Sequence, residues 1–301
     1  MSVVFALLSA LSSAANLLTQ RVSSGAGPKG SIWRVAAYLV RQPLWLFGVA
    51  LAVAAFVLQA AALRLGQLSQ VQPLLVTELV FVLVLRRLWL RQAIRPAAWA
   101  SAGFTCVALG VFLLAAEPRG GTPLPTPHAW AETIGLFGGA ALAMTIVAGR
   151  GSPARRAGLY GTAAAVVGAL AATLMKTVVT TLTMHGPVAI LAHWPLYAMV
   201  ACSLGSGLLA QAALHTGPLS VSQPLMVIVN PIVAIWLSVW LFGQYFTDNA
   251  AVLTVASCSF VALFVGAVFL TRTAPRQDAL ADLPEHVATA EAMVAERQDG
   301  S

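Results

Sequence analysis

The chain has 301 residues, of which 59% are apolar and 9% charged, with a mean hydropathy of +0.83 and a formal net charge of +7. A soluble domain carries about 25% charged residues, so this composition excludes soluble enzymes, nucleic-acid binders and disordered proteins. Cys106, Cys202 and Cys258 all lie inside apolar runs and form neither a disulfide framework nor a spaced metal site.

A helix that crosses a bilayer needs about 20 mostly apolar residues. Nine stretches qualify, at 3–22, 44–63, 71–90, 97–116, 129–148, 158–181, 193–214, 220–242 and 249–270. Their continuous apolarity argues against barrel strands, which alternate. The first stretch is kept as a helix and not a signal peptide, because only Met1 and Ser2 precede it and no cleavage site follows.

The loops set the orientation. Arg21, Lys29, Arg34, Arg41, Arg86, Arg87, Arg91, Arg95, Arg150, Arg155, Arg156, Arg272 and Arg276 fall on one side, and Arg64 and Arg119 on the other. Cytoplasmic loops collect Lys and Arg, which predicts an external N-terminus, a cytoplasmic C-terminus and an odd number of spans. The basic balance is therefore a topology signal, not a footprint for nucleic acid. Residues 23–43 form a long inner loop in which 31–43 is a candidate tenth short helix. Residues 273–301 read as a polar cytoplasmic tail.

Compared with itself, the chain carries a repeat. Residues 56–75, FVLQAAALRLGQLSQVQPLL, align without gaps to 207–226, GLLAQAALHTGPLSVSQPLM, with ten identities that include Gly66/Gly217, Ser69/Ser220, Gln72/Gln223 and Pro73/Pro224. The copies lie on spans two–three and seven–eight. Five spans separate them, so they cross in opposite senses. The expected fold is an all-α integral membrane bundle of nine transmembrane helices in a four-one-four inverted repeat. Its units are 1–128, a linking span in 129–157, 158–272, and the tail 273–301. Inverted repeats of this kind underlie many secondary transporters, whose substrate sites lie near the midplane beside interrupted helices.

The G-x-L-S-x-x-Q-P-L entry into an apolar helix, its duplication, and the ending Leu241-Phe242-Gly243-Gln244 resemble the drug/metabolite transporter superfamily, whose EamA-type repeats carry such a helix pair. The nine-span layout is similar to the NIPA-type magnesium transporter branch, although Gln244 stands where the EamA pattern usually has Glu. The resemblance implies a multi-pass transporter of the plasma membrane.

Polar residues inside the spans are the candidate substrate and coupling groups. Glu78 is the acidic residue deep within a span, and an intramembrane carboxylate is costly enough to be a functional candidate by default. Gln72-Pro73 and Gln223-Pro224 read as the openings of helices three and eight, with Pro in the first turn. Asn230-Pro231 falls near the midplane, where Pro231 leaves the Val227 carbonyl without its donor. Gln72, Gln223 and Asn230 are expected to face one central space, with Gln59, Gln211 and Asn16 as weaker candidates. Lys176 reads as snorkelling to the headgroups. Gly161, Ala165, Ala169 and Thr173 form a small-residue stripe for close helix packing.

No pair of the five histidines has metal-ligand spacing, and no cofactor is expected. No P-loop and no nucleophile–base pair are visible, so the chain reads as a secondary transporter and not an enzyme. Its expected partners are a small organic solute, coupled protons and the lipid bilayer, with no nucleic acid; a homodimer is allowed. The alternatives are a divalent-cation transporter and a non-transporting scaffold.

Overall fold

The computed structural model describes residues 1–25, 43–89, 91–116, 118–122, 124–246 and 249–273. The candidate tenth helix at 31–43, except Pro43, and the tail beyond Thr273 lie outside the described residues. In chain order the elements are α1 (Ser2–Gly25), α2 (Pro43–Leu65), α3 (Leu68–Leu75), α4 (Glu78–Leu88), α5 (Pro96–Ala115) and β1 (Arg119–Gly120). They continue with α6 (Pro127–Thr133), a π-helical turn (Ile134–Gly138), α7 (Gly139–Ala148), α8 (Pro153–His185), α9 (Pro187–Ala192), α10 (Trp194–Thr216), α11 (Leu219–Phe242), β2 (Gln244–Tyr245) and α12 (Ala250–Thr273). Among the described residues, nine helices are long and apolar enough to cross a membrane. The protein is an all-α integral membrane protein.

Local chemistry sets the boundaries. Proline occupies the first turn of α5, α6, α8 and α9, where its missing donor leaves no hydrogen bond unmade. The Thr126 and Ser152 hydroxyls accept from the Ala129 and Arg155 amides and cap α6 and α8. Gly243, at φ 63°, ends α11 in the left-handed conformation that glycine adopts without strain.

α8 is the central helix. It packs against α10, α11, α7 and α2, and 16 of its 33 residues are buried. In lipid no hydrophobic force drives helices together, so close approach through small side chains has to do so. The expected stripe serves that purpose. Gly161, Ala165, Ala169 and Thr173 are all buried, and Gly161 lies against the Ser222 backbone, where an added Cβ would be 3.2 Å from the carbonyl oxygen.

Helix neighbours recur between the two halves. α1 packs on α2 and α4, and α8 packs on α10 and α11; across the halves α5 pairs with α12, and α3 with α11. The turn glycines repeat the relation. A Cβ on Gly66 would stand 2.6 Å from the Ser2 Cβ, and one on Gly217 would press into the Pro153 carbonyl. Both members of the second pair come 151 positions after the first, the spacing of the sequence repeat, which thereby extends to the start of the first helix of each half. The two glycine turns lie at opposite ends. Ser69, just after Gly66, bonds Gln244, whereas α11 runs 24 residues, about 36 Å, between Gly217 and that end.

Candidate functional site

The third span is discontinuous. Its first half begins at Leu68, so Pro73 is its sixth residue and interior, not the first-turn proline expected from the sequence. Pro73 cannot donate to the Ser69 carbonyl, which removes a rung of the ladder. Three residues later the helix tightens. The Val76, Thr77 and Leu79 amides donate to the carbonyls three residues back, at 3.0–3.1 Å, and the Thr77 hydroxyl takes the Leu74 carbonyl at 2.6 Å. α4 then restarts at Glu78.

Glu78 therefore stands at the N-terminus of a half-helix inside the membrane. The Leu79 and Phe81 amides that follow it are taken up by the Val76 and Thr77 carbonyls, so the tightened turn joins the two segments. The side chain is partly buried, and the Ser13 hydroxyl of α1 donates to its carboxylate. Asn16 lies three residues on, on the same face of α1, and its buried Oδ1 has no hydrogen-bond partner. Ser13 and Glu78 thus join α1 to α4, with Asn16 one turn further along α1.

The second half carries a matching group. Asn230 of α11 and Ser206 of α10 converge on Gly168 of α8, where an added Cβ would be 3.1 Å from both the Asn230 Nδ2 and the Ser206 Oγ. Ser206 donates to the Ala164 carbonyl at 2.8 Å, and the Asn230 Oδ1 is buried without a partner. α11 runs unbroken through Pro224 and Pro231, and Pro224, like Pro73, is interior. The interruption that the sequence suggested at Asn230-Pro231 is at Val76–Thr77 instead. Asn230 and Glu78 are nonetheless level, each about 12–14 Å along its helix from Ser238 and Ser69, which donate to the same Gln244 oxygen.

The two glutamines do not share this depth. Gln72 is 4% exposed with its Nε2 unpartnered, three residues from Ser69 and so near one end of the bundle. Gln223 is fifteen residues before Ser238 and lies about 18 Å from Gln72 along the bundle. A single central space holding both does not form, because inversion places matched residues at mirrored depths. Gln59 is partly buried, while Gln211 is exposed.

Sequence reasoning missed two polar centres. Lys176 reaches the end of a neighbouring span. Its ammonium donates to the carbonyls of Leu63 and, at 2.6 Å, of Gly66, closing the C-terminus of α2, where a cation complements the helix dipole. Replacing it by methionine keeps the stem and leaves both carbonyls unbonded. Lys176→Met is expected to lower stability by about 1–3 kcal/mol, measured by thermal unfolding in detergent. The second centre is Gln244, 5% exposed, whose Oε1 accepts from Ser69 at 3.0 Å and from Ser238. The only sequence signal for either was a polar side chain in or beside an apolar run.

A cavity of about 300 Å³ opens between α11 and α12, lined by Ile228, Val261, Phe264, Val265, Val268 and Phe269. It is wholly apolar and touches none of the candidate residues. Among the described residues, no three His, Cys, Asp or Glu side chains gather to hold a metal ion.

The chain is similar to an uncharacterised protein of Corynebacterium glutamicum, with 27% identity over 276 residues that cover 91% of this chain and 95% of the relative. No protein-family profile matches the chain. No solved structure matches it.

Proposed function

We propose that this protein is a secondary transporter of the drug/metabolite, EamA-like type, moving a small organic solute across the plasma membrane by alternating access between two inverted halves. The observation that carries this reading is the interrupted third span. Glu78 sits at the mid-membrane start of a half-helix, level with Asn230 of the other half. Buried amides without protein partners on Asn16, Gln72 and Asn230 supply donors and acceptors that a polar solute could take up. Glu78 is the proposed site of proton coupling. An organic solute is favoured over magnesium, which prefers several oxygen ligands, commonly carboxylates.

Purified protein in liposomes, given a panel of small solutes with and without a pH gradient, tests the proposal. Flux of at least one solute above protein-free liposomes is expected, and a background rate for every solute under both conditions overturns it. The orientation is proposed as N-terminus outside and C-terminus cytoplasmic, from the arginine asymmetry. Single cysteines at Ser2 and Leu280, in a chain lacking Cys106, Cys202 and Cys258, are expected to react with an impermeant thiol reagent from opposite sides of the membrane. Reaction from one side alone refutes an odd number of spans.

A further inference from the structure

A cluster of hydrogen bonds ties the two halves together at one end of the bundle, the end away from the arginine-rich loops. Ser69, at the start of the third span, donates to the Gln244 side-chain oxygen at 3.0 Å, and Ser238, near the end of the eighth, donates to the same oxygen. The Gln244 backbone pairs with Gly120 in a two-residue antiparallel bridge, so the loop after the fourth span is stitched to the loop after the eighth. The Thr122 amide adds a bond to the Phe242 carbonyl at 2.7 Å. Beside this, Lys176 of the sixth span holds the end of the second through Leu63 and Gly66.

Two features mark these contacts. All but the Ser238–Gln244 bond, which stays within the second half, join elements of opposite halves. They are made by side chains and loop backbone, so they can open without unwinding a spanning helix. Gln244 is also nearly fully buried, which makes its bonds dearer to leave unmade than surface bonds. Gln72, buried with an unpartnered amide, lies one turn inside Ser69, directly behind the cluster.

We propose that Gln244, clasped by Ser69 and Ser238, is the latch of the gate at this end of the transport path, and that the conformation described here is the state closed at that end. Solute passage requires the Ser69–Gln244 bond to break and the β1–β2 bridge to part while the helices of each half stay intact. Gln244 is thus a positioning residue: it sets how often the path opens and does not itself hold the solute. This rests on the transporter reading, from which the test separates it.

In the cysteine-free chain, Gln72→Cys serves as a probe behind the latch, and its reaction rate with an impermeant maleimide is measured in right-side-out and inverted membrane vesicles. Adding Ser69→Ala and Gln244→Ala is expected to speed labelling by about tenfold, in only the vesicle orientation that presents the latch end to the reagent. An unchanged rate, or an equal rise in both orientations, overturns the latch. Should the triple variant fail to fold, Ser69→Ala with the probe is read the same way. The second arm uses Ser69→Cys with Ser238→Cys. Oxidation is expected to cross-link the third and eighth spans and stop solute flux, and reductant to restore it. Continued flux through the cross-linked protein overturns the proposal. If the unmodified protein moves no solute, the transporter reading fails, while the labelling arm still decides whether these bonds close this end.

Discussion

Glu78→Gln is expected to leave the protein folded and to abolish the dependence of solute flux on a pH gradient. The side chain keeps its size, and the amide oxygen can still accept from Ser13, so the contact between α1 and α4 survives. What disappears is a group that can gain and lose a proton at mid-membrane. Its nearest polar neighbours, Ser13 and Asn16, do not titrate in the accessible range, so no adjacent group described on α1 replaces it. The counterpart of Glu78 in the other half is Val229, which shows that packing of the third helix does not by itself demand a carboxylate there. Gradient-driven flux in Glu78→Gln should fall to the rate seen without a gradient. Unchanged gradient-driven flux, in protein with an unchanged unfolding temperature, would reduce Glu78 to a structural role.

The second large effect is expected at Gly217. A methyl group there would meet the carbonyl oxygen and carbon of Pro153 and, at 3.0 Å, the Ala157 Cβ. Those backbone atoms open α8, the helix on which the second half packs, and they cannot rotate away as a side-chain tip would. Gly217→Ala is expected to cost about 1–3 kcal/mol, the ordinary range for overpacking, and to sit at its upper end. Gly66→Ala meets the side chain of Ser2, at 2.6 Å, and main-chain atoms only at 3.2 Å, the Ala62 carbonyl, so it presses less on backbone. It should cost less than half as much. Gly207→Ala, where nothing lies within 4 Å, is the neutral control. The comparison is read from thermal unfolding in one detergent, and equal losses for Gly217→Ala and Gly66→Ala would contradict the geometry.

The spans were legible because the signal for them is chemical and local. A run of apolar residues needs a hydrocarbon environment wherever it folds, and eight of the nine expected ranges agree with the helices to within a few residues. The sixth was read as 158–181 but runs from Pro153 to His185, because the length argument asks only for enough helix to cross and is silent on what extends beyond. The break at Val76–Thr77 was invisible for a related reason. Both residues are compatible with an apolar run, so hydropathy passes through them unchanged, and Pro73 was placed in a first turn that in fact starts at Leu68. The acceptors of Lys176 could not be read, because they are backbone carbonyls at the end of α2 and in the turn after it, more than a hundred residues away, and a single-helix argument does not reach them. Glu78, Asn16 and Asn230 were singled out by the cost of a polar group in lipid; Glu78 accepts from Ser13 of α1, and the Asn16 and Asn230 Oδ1 atoms are buried without partners. For Gln72 and Gln223 the same cost argument found the residues but not their depth, which depends on the direction of each copy.

Among the described residues, the paired serine bonds to Gln244 have no counterpart in the other half. The place equivalent to Gln244 there reads Arg91-Gln92, and at the repeat spacing Ser238 corresponds to Arg87, so one serine of the clasp is replaced by an arginine. In a chain with perfect two-fold internal symmetry, the state open to one compartment and the state open to the other would be one structure turned over, with equal free energy and equal occupancy. Each unmatched hydrogen bond worth about 1 kcal/mol tilts that balance roughly fivefold. On the proposed transporter reading, the divergence of the two copies sets the resting compartment of the empty protein before any solute or gradient acts on it.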